Sequence, residues 1–427
     1  MLQNYSPHSR PRGRYRRAGA LALAGTLAVL TACTPSGAPQ PPRTELTASG
    51  PATAPPSSAS LSVTTPAATA TPSAAPKPRP TATPATPENT LASLSLEQRV
   101  GQLFMVGANA GGSDSDAVAE LLGRHIGNFY LAGRSQAGVA PTAAVVASLR
   151  AAAKQSGNNV PLSVATDQEG GYVQVLRGPG FSEIPTALAQ SASTPAQLRS
   201  RARAWGAELL RAGVDVDLAP VLDTVPGAAF GPANAPIGYF QREYGYTPSS
   251  VSALGNAFAS GLRDAGVAPV VKHYPGLGRV TLNTDTSGNV RDTATTRTDP
   301  YLAPFTAAIR GGVRWVMVSN AYYDRIDSER PAPFSPVVMR TMLRSDAGFT
   351  GIIVSDDLCN AAQLAPWTVG QRAGNFIAAG GTVVLCANTA DVPAMYGEVL
   401  RRATAEPAFR KAVDAAALTV LRVKAGK

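Results

Sequence analysis

Cysteine, histidine and aromatic side chains are all scarce in this 427-residue chain, and each scarcity closes off a class of chemistry. Three cysteines, Cys33, Cys359 and Cys386, cannot build the disulfide framework of a small secreted scaffold or a cysteine-rich metal cluster. Whether Cys359 and Cys386 pair is left open by the sequence. Of the three histidines, His8 lies in the N-terminal leader and His125 precedes a strand remote from the motifs below, so His273 is the one imidazole among them. Aromatics make up 6% of residues and are nowhere interleaved with basic side chains, which argues against a single-strand nucleic-acid surface. The formal charge of +10 includes the arginine-rich leader, so the processed chain is less basic than that figure.

The leader itself is informative. Arg10, Arg12, Arg14, Arg16 and Arg17 precede the apolar run 18–30, and Leu30-Thr31-Ala32-Cys33 closes it: a basic segment, a short hydrophobic segment and a small-residue cleavage site. The run is too short for a membrane span and reads as an export signal. Cys33 directly after Leu-Thr-Ala resembles a bacterial lipobox, which implies cleavage before Cys33 and lipid attachment to it. An ordinary secretory signal or short anchor is the alternative. Residues 34–90 are almost entirely Pro, Ala, Thr and Ser and cannot bury a core, so they are expected to form a disordered tether. The chain thus divides into a signal (1–33), a linker (34–90) and a folded part (91–427).

From Leu91 onward, short β-branched runs alternate with longer Ala-rich amphipathic stretches, the pattern of βαβ units on a parallel sheet. The predicted strands are 103–106, 126–131, 162–166, 214–218, 267–271, 315–319, 351–355 and 382–386, with helices including 195–212, 248–265 and 366–379. Eight such units predict a single α/β domain of the (β/α)8 TIM-barrel class, whose active site lies at the C-terminal strand ends. A doubly wound open sheet would carry a Gly-rich phosphate fingerprint after its first strand, and Val106-Gly107-Ala108-Asn109 does not supply one.

The strand ends are polar. The third runs into Asp167-Gln168-Glu169-Gly170-Gly171, the fourth into Pro220-Val221-Leu222-Asp223, and the fifth into Lys272-His273-Tyr274-Pro275-Gly276. The sixth ends at Ser319-Asn320 and the seventh at Ser355-Asp356-Asp357. Any one of these could be a helix cap, with Asp357 the best candidate for that role. Together they converge on one barrel mouth, and a polyhydroxyl ligand such as a carbohydrate suits such a rim.

These motifs, with Leu96-Glu97-Gln98-Arg99-Val100-Gly101-Gln102-Leu103 and Phe349-Thr350-Gly351-Ile352-Ile353-Val354, resemble the family 3 glycoside hydrolases, specifically the single-domain β-N-acetylhexosaminidase type. The resemblance covers nearly the whole folded part. It implies a retaining hydrolase of terminal β-linked N-acetylglucosamine, often in peptidoglycan fragments, that needs no metal or organic cofactor. It places the nucleophile on Asp356 and substrate contacts on Asp167, Lys272, His273 and Arg242. The chain departs from the pattern in the loop after the fifth strand. The family's Asp-Ser-His acid/base element falls on Asn283, Thr284 and Asp285, the second His of the Lys-His motif on Leu277, the His ending strand six on Asn320, and the Arg after the double glycine on Tyr172. Two expectations follow. Asp285 takes over as acid/base, held by Asn283 and with Asp292 the next candidate, or the protein is a catalytically inactive glycan-binding lipoprotein. In either case the partners expected are an envelope glycan and a membrane, through the lipid anchor, in an exported bacterial lipoprotein.

Overall fold

The computed structural model describes residues 86–113 and 115–426. Cys33, the leader and most of the expected tether lie outside the described residues. The linker boundary moves: a helix, Pro87–Ser93, begins inside the stretch assigned to the tether. Thr86 caps it by accepting from the Asn89 amide, and Pro87 stands where a missing N–H costs nothing. Leu91 then packs against Leu94, Val160 and Leu421, and Glu88 pairs with Arg422 at 2.8 Å, so this turn belongs to the folded body.

Eight parallel strands form the barrel: β1 (Phe104–Asn109), β2 (Asn128–Ala132), β3 (Ser163–Thr166), β4 (Val216–Asp217), β5 (Ala268–Tyr274), β6 (Trp315–Val318), β7 (Ile352–Ser355) and β8 (Val384–Cys386). Each neighbours its successor, β8 pairs with β1, and a parallel bridge from Val354 to Val383 joins β7 to the entrance of β8. All eight coincide with runs expected from sequence. Three differ most in extent: β1 continues to Asn109, β4 is only two residues long, and β5 continues to Tyr274, so Lys272 and His273 are strand residues rather than the start of a loop.

Alternation along each strand sorts side chains into two layers. Met105, Tyr130, Ala165, Val216, Val270, Met317, Ile352 and Leu385 fill the barrel interior, while Phe104, Phe129, Val164, Val271, Val316, Ile353 and Val384 face the surrounding helices. Both strand faces are buried, which is why the strands read as continuous apolar runs. The helices Pro195–Arg211, Pro248–Asp264 and Val369–Ala379 each start with a reciprocal capping box, from Thr194, Thr247 and Thr368 respectively. The last of these starts at Val369 rather than 366 because Thr368 occupies the cap.

Two small sheets were not expected. Residues Gln168–Gly170 pair antiparallel with Val173–Gln174 just beyond β3, and Arg291–Thr296 pair in parallel with Tyr322–Arg325 beyond β5 and β6. Both elaborate the loops at the C-terminal ends of the strands, where the polar motifs converge.

Candidate active site

The floor of the barrel mouth is a buried charge network. Lys272, with 0% side-chain exposure, reaches Asp167 at 2.8 Å and Glu169 at 2.5 Å. A fully buried ammonium is tolerable only against such partners. Glu169 is also gripped by Arg242 through two parallel bonds of 2.7 and 2.8 Å, and Arg242 donates to the Pro236 carbonyl at 2.8 Å. Burial alone would raise the Glu169 carboxyl, but Arg242 and Lys272 outweigh it and hold it at about 2. Next to this pair of ion pairs, Asp217 at the end of β4 accepts one bond, from the Gln168 amide at 3.0 Å, while its other oxygen has no partner. Burial raises its carboxyl to about 8, so it is protonated at neutral pH.

Above the floor, His273 and Asp356 open on a shared pocket, together with Val173, Pro236, Arg242, Leu277, Asn283, Thr284 and Asp285. Asp223 organises the His273 side. Its carboxylate meets His273 Nδ1 at 2.7 Å and accepts from the backbone amides of His273 and Leu277. With Nδ1 engaged by Asp223, Nε2 is the ring nitrogen left for the pocket. Asp356 is held through its backbone amide to Val318 and through its Oδ1, which accepts from the Asp357 amide at 2.9 Å. Burial raises its carboxyl, and the negative charge of Asp285 raises it further, while His273 opposes the rise. Asp285 and His273 both line the pocket that Asp356 enters, so both act on the Asp356 carboxyl at close range.

Asp357 is not the helix cap expected of it, because a turn and not a helix follows it. It accepts from the amides of Cys359 and Ala387 and from Asn360 Nδ2, tying the loop after β7 to the end of β8. A disulfide between Cys359 and Cys386 closes the same junction, which resolves the pairing left open by sequence. The loop after β5 is also fastened. The carbonyls of Thr284 and Asp285 accept from the Gln363 and Ala362 amides, and Asn234 bonds the Leu277 and Val280 carbonyls through its Nδ2.

The predicted residues thus sort into two shells. Asp356, Asp285, His273 and Arg242 line the pocket. Asp167 and Lys272 do not line it; they are buried and locked to each other, and Lys272 also holds Glu169. Asn283 does hold Asp285, but by accepting from its backbone amide at 2.9 Å, an Asx turn rather than a carboxylate contact. Asp292 is occupied elsewhere, accepting from the Ala294 and Thr295 amides and the Thr295 hydroxyl, and does not line the pocket. Asn320 spends its amide on the Asp357 carbonyl, and Leu277 turns a 2% exposed apolar side chain to the pocket wall. Glu169 and Asp223 were visible as rim residues, but their roles as clamp for Arg242 and orienter for His273 depend on pairings 73 and 50 residues away in sequence.

Among the described residues no group of three or more His, Cys, Asp or Glu side chains is arranged to hold a metal ion. The arrangement offers two carboxylates and an oriented imidazole around a small polar pocket, the equipment for nucleophilic and acid/base work on a glycosidic bond.

Comparison with known proteins agrees. Residues 95–423 match the glycosyl hydrolase family 3 N-terminal domain. The β-hexosaminidase LpqI of Mycobacterium tuberculosis is 30% identical over 359 residues, covering 82% of this chain and 87% of the relative. A crystal structure of β-N-acetylhexosaminidase from Beutenbergia cavernae shares 49% identity with a TM-score of 0.76, covering 78% of this chain and 99% of that one. The solved structure of Mycobacterium tuberculosis LpqI superposes with a TM-score of 0.69 at 29% identity over 79% of this chain and 95% of its own. The chain is therefore a glycoside hydrolase belonging to family 3, of the single-domain β-N-acetylhexosaminidase type.

Proposed function

We propose that the protein is a retaining β-N-acetylglucosaminidase of the bacterial cell envelope, with Asp356 as nucleophile and Asp285 as acid/base. The observation that carries this reading is the shared pocket lined by both Asp356 and Asp285 beside the Asp223-oriented His273. The ionised Asp356 attacks the anomeric carbon and forms a glycosyl ester as the glycosidic C–O bond breaks. Asp285 gives its proton to the departing oxygen. In the second half, Asp285 takes a proton from water, the water oxygen bonds the anomeric carbon, and the ester releases Asp356. Arg242 and His273 meet the sugar's hydroxyls and acetamido oxygen, while Lys272 and Asp167 hold Glu169, and through it Arg242, in place.

Envelope placement rests on the lipobox-like Leu-Thr-Ala-Cys33, the Pro/Ala/Thr/Ser tether and the disulfide, a bond that persists in oxidising compartments. Cys33 would carry the lipid and residues 34–85 would give the barrel reach from the membrane toward glycan fragments.

Hydrolysis of aryl β-N-acetylglucosaminides of graded leaving-group acidity, by wild type, Asp356→Ala and Asp285→Asn, tests the assignment. Asp356→Ala should abolish turnover of every substrate. Asp285→Asn should depress poor leaving groups about 10²- to 10⁴-fold, the scale of one acid/base group, and activated ones far less. Inert wild type with measurable glycan binding would instead favour the inactive glycan-binding lipoprotein, and a leaving-group-independent loss in Asp285→Asn would move the acid/base elsewhere.

A further inference from the structure

Large apolar side chains are seldom exposed among the described residues, and most of those that are gather at the site. Among the described residues four are exposed: Tyr172 at 39%, Tyr239 at 60%, Leu282 at 50% and Leu210 at 49%. Three of the four sit on the loops that build the pocket wall. Tyr172 precedes the pocket residue Val173, Tyr239 lies between the pocket residues Pro236 and Arg242, and Leu282 precedes Asn283. Scattered surface apolar residues call for no explanation, but a cluster beside a polar pocket marks a contact surface.

The aromatic members form one unit across two loops. Phe240 packs edge-on against Tyr172, with ring centroids 5.8 Å apart and planes at 66°, and against Tyr239, at 4.9 Å and 80°. Their backbone is fastened. Asn234 accepts from the Gly238 amide at 2.7 Å and donates to the Leu277 and Val280 carbonyls, riveting the Tyr239–Phe240 turn to the loop that carries Asp285. The Gln241 carbonyl accepts from Leu188, and Arg134 bonds the Tyr172 carbonyl at 2.9 Å. A rigid, half-exposed aromatic ledge at the lip of a carbohydrate pocket is suited to the apolar face of a pyranose ring, whose axial C–H groups pack on aromatic rings while its equatorial hydroxyls stay in water.

We propose that Tyr172, Phe240 and Tyr239 form a stacking platform for the sugar on the leaving-group side of the scissile bond, so that the site recognises a β-linked disaccharide end rather than a single sugar. This rests on the glycosidase reading of the pocket. The platform makes Tyr172 and Tyr239 specificity residues and predicts that affinity rises with the second ring.

The experiment is calorimetric titration in an Asp356→Ala background, which cannot turn ligand over. N-acetylglucosamine and N,N′-diacetylchitobiose are compared on that protein and on versions adding Tyr172→Ala, Tyr239→Ala, Tyr172→Phe or Tyr239→Phe. Each Ala change should weaken the disaccharide about tenfold, the scale of one ring stacked on an aromatic side chain, and leave the monosaccharide unchanged. Each Phe change should preserve both affinities, because the ring and not the hydroxyl makes the contact. Unchanged disaccharide binding in the Ala variants overturns the platform while leaving the glycosidase reading intact. Equal weakening of both ligands overturns it in favour of a structural role. Failure of the parent to bind either sugar overturns the platform together with the reading of the pocket on which it rests.

Discussion

Two buried carboxyls at the floor of the barrel are shifted in opposite directions because burial prevails at one, while at the other the paired cations outweigh it. Glu169 lies against Arg242 and Lys272 and is held at about 2, while Asp217 has burial working against its charge, an unpaired oxygen and the neighbouring Asp167 and Glu169, and is raised to about 8. A carboxyl whose folded value lies above its ordinary 3.8 binds its proton more tightly in the folded state, so it lowers stability as pH rises from about 4 to about 8. Asp217→Asn keeps an acceptor for the Gln168 amide and removes the ionisation. Thermal unfolding should therefore show the variant gaining roughly 1–3 kcal/mol over wild type at pH 8, with the gain shrinking toward pH 4. A gain independent of pH, or a loss at pH 8, would contradict the burial of an unpaired Asp217. At this scale the sequence was half legible. Asp356, Asp285, His273 and Arg242 reach the pocket as expected, because motif position alone put them at strand ends. Asp167 and Lys272 lie paired and buried off the pocket lining, a depth that sequence order does not give, since which of several clustered charges faces solvent is decided by their pairing.

The element that presents Asp356 is the loop between β7 and β8, and it is bound at both ends. The Cys359–Cys386 disulfide spans 27 residues and lies beside the Asp357 contacts to Cys359 and Ala387. Closing a loop of that length restricts the unfolded chain by about 3 kcal/mol in the chain-entropy model. Replacing both cysteines by Ala should lower the unfolding free energy by that order, and with it the unfolding midpoint, and, by loosening the loop, raise KM more than it lowers kcat. An unchanged midpoint between oxidised and reduced wild type would show that the pair carries no constraint. Strands and helices themselves were readable from alternating apolar runs, and the structure adds the capping boxes at Thr194 and Thr247 that fix the starts of two of the helices. The two small sheets beyond β3 and β5 were not, because Gln168–Gly170 and Arg291–Thr296 have no hydrophobic period of their own and exist only by pairing across a loop. The helix Pro87–Ser93 escaped for a related reason: its composition continues that of the tether, and only its docking near Leu421 and Arg422 orders it.

For the whole molecule, barrel closure is what turns separated sequence motifs into a site. Five strand ends spread from Asp167 to Asp356 converge only because β8 returns to pair with β1. The departure from the family pattern is local to that frame. Asn283, Thr284 and Asp285 stand where the resemblance implies an Asp-Ser-His element, on a loop pinned to Ala362, Gln363 and Asn234, so the proposed acid/base Asp285 sits on a fastened wall. The central claim is that this closed pocket still works by covalent catalysis through Asp356. Incubation with a 5-fluoro glycosyl fluoride of N-acetylglucosamine, followed by intact-mass measurement and peptide mapping, tests it most directly. The account predicts a single glycosyl adduct on the peptide bearing Asp356, absent in Asp356→Ala. Steady turnover of the aryl substrate with no adduct, or an adduct carried by any other residue, would contradict it.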